Sequence, residues 1–69
     1  MADFKHYAEA LDRAAKAVGG KASLADRLGI RRQSIHEWRR VPAERVLTVE
    51  HLTGIPRYEL RPDLYPRGV

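Results

Sequence analysis

Apolar residues recur with a helical period along most of the chain, and glycine or proline interrupts that period at intervals. The pattern predicts a first helix over about 4–17, with the Asp3 carboxylate accepting hydrogen bonds from N–H groups of its first turn. Gly19 and Gly20 then end the helix, because glycine readily adopts the left-handed conformation found after helices. The face expected to be buried has apolar residues three or four positions apart: Tyr7, Leu11, Ala14 and Val18.

Two short helices follow, over about 21–28 and 32–39, and Gly29 separates them. Ala25 is small enough to let the two helices approach, and Gly29 permits a sharp turn between them. Two short helices at a fixed angle, joined by a turn that contains glycine, form a helix-turn-helix. The residues expected to form its core are Leu24, Ala25, Leu28, Gly29, Ile30, Ile35 and Trp38.

A fourth helix is predicted over about 42–53, because proline suits the first helical position and the residue before it, Val41, disfavours helix. Gly54 and Pro56 close this helix, and 57–60 has room for one more turn. The residues expected to face inward from the fourth helix are Val46, Val49 and either Leu52 or Thr53.

No segment alternates apolar and polar residues over the length of a strand. The expected fold class is therefore all-α: a compact bundle of four to five short helices that forms a single domain over 1–69. The helix-turn-helix occupies about 21–40 of this domain, and a C-terminal tail covers 55–69.

Basic residues are concentrated in one part of the chain. The sequence carries a formal net charge of +4, and the whole excess of positive charge lies in 21–40, which contains six basic and two acidic residues. A basic cluster on one structural element is the electrostatic footprint of a polyanionic partner. The location of the excess within the helix-turn-helix favours double-stranded DNA.

The exposed face of the second helix of such a motif enters the major groove. If Ile35 and Trp38 point inward, the residues expected to read base edges are Arg32, Gln33, His36, Glu37 and Arg40. The residues expected to contact phosphates are Lys21, Ser23, Arg31, Ser34 and Arg39. Arg31 lies at the cap position of the third helix, where arginine is a poor cap; a DNA contact and simple capping by water are both open explanations.

Three motifs give the chain a family resemblance: GGKASLADRLG, WRRVPAER and ELRPD. Over about 10–65 it resembles the YdaS and Cro-like group of prophage helix-turn-helix regulators. The resemblance implies a lambda-repressor-like DNA-binding domain that acts as a transcriptional repressor, sometimes labelled an antitoxin. It also implies that Lys21 and Ser23 contact the DNA backbone and that four residues read bases: Arg32, Gln33, His36 and Glu37. Arg31 departs from the family pattern, which usually has serine or threonine there.

Other classes of function are disfavoured by the sequence. The serines lack an adjacent base, 69 residues leave little room for a catalytic pocket, and the three histidines fall on different helices without a second ligand. We therefore expect no enzyme activity, no cofactor, no metal and no small-molecule substrate. Without cysteine, an apolar leader or a membrane span, a cytoplasmic, nucleoid-associated location is expected.

The competing hypothesis is a protein-interaction module, and in particular an antitoxin that autoregulates its operon and binds a toxin protein. In such a module the exposed face of the third helix should be mixed or apolar, but here it is polar and charged. For the DNA-binding regulator a weak homodimer is expected, because one reading helix covers few base pairs. Its candidate contacts are the apolar residues of the tail, Leu64 and Tyr65.

Overall fold

A computed structural model describes residues 4–66. The helices are α1 (Phe4–Ala17), α2 (Lys21–Leu28), α3 (Arg32–Glu37), α4 (Val46–Thr53) and α5 (Arg57–Leu60), with a 3-10 turn at Ala43–Arg45 before α4. The described residues contain no strand. The predicted all-α fold is therefore confirmed, as are the bounds of α1, α2 and α5.

Helix α1 lies at the centre of the bundle and packs against α2, α4 and α5, while α2 also packs against α3. The predicted stripe on α1 is confirmed for Tyr7, Leu11 and Ala14, which are buried, and Val18 packs at its edge. The remaining core comes from every other helix and from the segment before the 3-10 turn: Leu24, Ala25, Ile35, Val41, Val46, Val49 and Leu60 are all buried. The predicted cap residue Asp3 lies outside the described residues.

Two predicted helix bounds are wrong. Helix α3 ends at Glu37 rather than at residue 39, and Trp38 has an extended backbone with φ −72° and ψ 129°. Trp38 still packs, half-buried, against the core, but from beyond the helix. The α-helical part of α4 begins at Val46 rather than at Pro42, because Ala43–Arg45 first forms a tighter 3-10 turn.

The tail folds back on the helices. Leu60 is fully buried, and the following Arg61 is also buried. Tyr65 packs against the core of its own domain, with the Arg57 guanidinium carbon 5.7 Å from its ring centroid. Leu64 is 44% exposed, so it is the member of the predicted dimer pair whose side chain faces solvent.

No helix among residues 4–66 combines the length and the apolar content that crossing a membrane requires.

Candidate nucleic-acid interface

The turn between α2 and α3 fixes the position of α3. Gly29 has φ 73° and ψ 29°, the left-handed conformation predicted for it. Its N–H donates to the Asp26 carbonyl at 3.2 Å, and the Ile30 N–H donates to the Ala25 carbonyl at 3.1 Å. This pair of hydrogen bonds is a Schellman cap, which satisfies the last carbonyls of α2 and turns the chain sharply.

Helix α3 presents one polar face to solvent. Ile35 is fully buried and anchors the helix, and Ser34 is half-buried at its side. The exposed residues of α3 are Arg32, Gln33, His36 and Glu37. The structure thus brings four of the five predicted base-reading residues onto a single exposed face.

Arg40 lies elsewhere, and its predicted place on the α3 face is wrong. Because α3 ends at Glu37, Arg40 sits in the segment that leads to the 3-10 turn. Its guanidinium carbon lies 5.2 Å from the centroid of the Tyr7 ring, and its Nη1 atom lies 3.8 Å from Asp63 Oδ2. Arg40 therefore ties that segment to α1 and to the tail, while its neighbour Arg39 is exposed.

Arg31 occupies the cap position of α3, as predicted. Its backbone is extended, its carbonyl accepts from the Ser34 N–H at 3.0 Å, and its side chain makes no capping hydrogen bond. Among residues 4–66, the exposed guanidinium groups of Arg27, Arg31 and Arg39 form no ion pair. These three side chains leave positive charge uncompensated around α2 and α3.

The start of α2 also carries polar groups. Gly20 caps α2 without a side chain, so the first N–H groups of the helix have no side-chain acceptor from the cap. Lys21 and Ser23 are half-exposed in this first turn. The Lys21 ammonium lies 3.6 Å from Asp12 Oδ1 on α1.

An ion pair that the sequence did not indicate crosses the turn. Arg32 Nη2 donates to Asp26 Oδ2 at 3.1 Å, which joins the first residue of α3 to the exposed side of α2. The two residues are six apart. Helical neighbours are three or four positions apart, so helical spacing gave no signal for the pair.

Sequence reasoning also missed the polar group that holds the segment after α3. Arg61 donates to the Val41 carbonyl and to both carboxylate oxygens of Asp63. The hydrogen bonds between Arg61 and Asp63 hold the pKa of Asp63 far below its usual range and raise the pKa of Arg61. We call this group of Arg61, Asp63 and the Val41 carbonyl the tail clamp.

Residues 4–66 contain neither a detectable pocket nor a group of three histidine, aspartate or glutamate side chains that could hold a metal ion.

A family model described as "Bacterial toxin YdaS" matches residues 11–68. No curated protein and no solved structure matches the chain.

Proposed function

The chain belongs to the YdaS family, as its motifs predicted, and on that premise we propose that it is a sequence-specific DNA-binding transcriptional regulator. The observation that carries the proposal is the face of α3, which is exposed, wholly polar and anchored by the buried Ile35. An exposed helix with this composition, set at a sharp glycine turn to the preceding helix, suits the major groove of B-DNA.

Each residue of the α3 face has chemistry that suits a base edge. Arg32 can donate two hydrogen bonds to guanine, and Gln33 can both donate to and accept from adenine. Glu37 can accept from cytosine, and its charge repels phosphates, which disfavours loosely bound complexes. Helix α3 has six residues, about 9 Å of helix axis, so one protomer would read about three base pairs.

The side chains that we propose to contact phosphates come from α2, from α3 and from the residues that flank α3. Lys21 and Ser23 extend from the first turn of α2, where backbone N–H groups can also bind an anion. Arg31 and Arg39 flank α3 in the chain, and Ser34 lies within it. The charges of both arginines are uncompensated among the described residues. Phosphate contacts set the register of the protein on DNA, whereas the α3 residues would select the sequence.

Repression is the simplest regulatory outcome that we propose, because a protein bound to an operator blocks polymerase without any further contact. Such a protein would act in the cytoplasm, at the nucleoid. The proposal assigns the protein no catalytic step and no cofactor.

A second candidate function is that of a bacterial toxin, the role that the family description names. Growth inhibition on induced expression would support it, whereas the antitoxin hypothesis predicts rescue of cells from a co-encoded partner. Arg32→Ala separates growth inhibition through DNA from inhibition by another route. A loss of toxicity in this variant would place the toxic effect at the proposed DNA surface.

Selection from a pool of random duplexes tests the proposed function. We expect one enriched sequence, and we expect Gln33→Ala to weaken binding to it by about 1–3 kcal/mol and to relax preference at one base pair. Thr48→Ala, a change at an exposed residue of α4, is the matched control and should bind like the wild type. Equal weakening on selected and random duplexes would show that α3 does not read bases. No binding to any duplex would overturn the function.

A further inference from the structure

Asp26 and Arg32 form an ion pair across the turn between α2 and α3. The contact joins Asp26 Oδ2 to Arg32 Nη2 at 3.1 Å, and the two side chains are 60% and 65% exposed. We propose that Asp26 is a specificity-determining residue, an inference that rests on the proposed function. Asp26 positions Arg32 for a base edge and weakens the attraction of Arg32 to phosphate.

The pair is poorly explained by stability alone. Exposed ion pairs contribute little to folding, because solvent screens them and two long side chains must be ordered. Arg32 is the first residue of α3, where the helix dipole disfavours a cation, and the first turn of α3 contains no acidic residue. An arginine at this position therefore lowers stability, and an exposed pair with Asp26 offsets only a small part of that loss.

The geometry leaves Arg32 able to bind a base while it stays paired. A guanidinium has five N–H donors, and the contact with Asp26 uses the Nη2 atom alone. Two further donors suffice for the O6 and N7 acceptors of guanine. A guanidinium held in one place loses less rotamer freedom when it meets a base, so the pair favours the specific complex.

The same carboxylate disfavours non-specific complexes. On a duplex without guanine at the right position, Arg32 can contribute through its attraction to phosphates. The adjacent Asp26 charge cancels much of that attraction. This cancellation and the positioning of Arg32 both raise the ratio of specific to random affinity.

Glu9 provides a matched control for the change in net charge. It is exposed on α1 and forms no ion pair among residues 4–66. Glu9→Gln and Asp26→Asn each remove one negative charge and leave side-chain size nearly unchanged. An effect of Asp26→Asn that Glu9→Gln does not share therefore does not come from the change in net charge alone.

The experiment measures the affinity of each variant for the selected duplex and for a scrambled duplex of the same composition, over a range of salt concentrations. We expect Asp26→Asn to lower the specific-to-random ratio about two- to fivefold, the range of an exposed charge pair. For Asp26→Asn on scrambled DNA, the slope of log affinity against log salt concentration should steepen by about 0.9, the effect of one more phosphate contact. Both effects should vanish in an Arg32→Ala background.

An unchanged ratio, an equal fall in Glu9→Gln, or the same fall in the Arg32→Ala background would each overturn the role of Asp26. A lower melting temperature with an unchanged ratio would likewise make the pair structural and overturn it. If the wild type binds the selected duplex but Asp26→Asn behaves like Glu9→Gln, this inference fails and the proposed function survives. If the wild type binds no duplex, the proposed function fails, and this inference fails with it.

Discussion

The Arg61 guanidinium donates a hydrogen bond to the backbone carbonyl oxygen of Val41, 2.9 Å away and 20 residues earlier in the chain. Its other nitrogen atoms hold Asp63, with Nε at 2.9 Å from Oδ1 and Nη2 at 2.8 Å from Oδ2. The tail clamp therefore joins the ELRPD motif to the segment that follows α3. Through Asp63 it also reaches Arg40.

We expect Arg61→Met to lower the free energy of unfolding by about 2–3 kcal/mol, because it leaves the Val41 carbonyl and the Asp63 carboxylate without their charged donor. Arg27→Met, at an exposed arginine without an ion pair among residues 4–66, is the control and should change stability by about 0.5 kcal/mol or less. Urea unfolding followed by the fluorescence of the single tryptophan measures both. Equal midpoints for the two variants would show that the clamp does not stabilise the fold.

The clamp should make folding sensitive to acid. Hydrogen bonds from Arg61 hold the pKa of Asp63 well below its usual value. The ionised carboxylate therefore stabilises the fold above the unfolded pKa of about 3.9, and this stabilisation is lost as the pH falls toward the folded pKa. We expect the stability of the wild type to fall more steeply below about pH 4 than that of Asp63→Asn. Parallel pH curves of unfolding free energy would contradict this expectation.

Gly29 should tolerate only residues that accept a positive φ. We expect Gly29→Val to lower stability by about 1–3 kcal/mol, because a β-branched residue is strained at φ 73°. A Cβ atom at Gly29 would meet no atom within 4 Å apart from those of the adjacent residues, so the loss would come from the backbone and not from a clash. Gly29→Asn has a side chain of similar size that tolerates this conformation, and it should lose less. Thermal melts of equal midpoint for valine and asparagine would show that the turn is not the cause.

Lys21 should contribute to affinity without contributing to sequence preference. We expect Lys21→Ala to weaken selected and scrambled duplexes alike and to flatten the log–log salt slope by about 0.9. Because Lys21 lies 3.6 Å from Asp12, Asp12→Asn should change the slope in the opposite direction. A selective loss on the selected duplex would instead give Lys21 a role in base reading.

Leu64 is the residue through which we expect a second copy to bind on DNA, since its side chain is 44% exposed and Tyr65 packs into its own domain. Truncation after Pro62 would remove Asp63 and unpair Arg61, so Leu64→Ser is the cleaner test. It should leave stability unchanged within about 0.5 kcal/mol and lower cooperative binding to a palindromic duplex. Sedimentation of one wild-type protomer per palindrome would rule out the dimer.

Local rules were enough to predict much of the fold from the sequence. The bounds of α1 and α2 follow from apolar spacing and from glycines that end each helix, and Gly29 has the conformation that its place in the pattern required. The exposed face of α3 followed from the burial of Ile35 in the same way. These features depend on residues within a few positions of one another, so the sequence alone determined them.

The tertiary structure decided the end of α3, the place of Arg40 and the burial of Arg61. Helical period allowed α3 to continue to residue 39, but the chain becomes extended at Trp38. Arg40 then meets Tyr7, and the Val41 carbonyl meets Arg61. Each of these contacts joins residues 20 or more positions apart. Local sequence patterns therefore do not predict which group forms a hydrogen bond with a buried carbonyl or contacts a guanidinium. That choice is made when the helices pack and remove those groups from water, because only then does an unpaired polar group become costly.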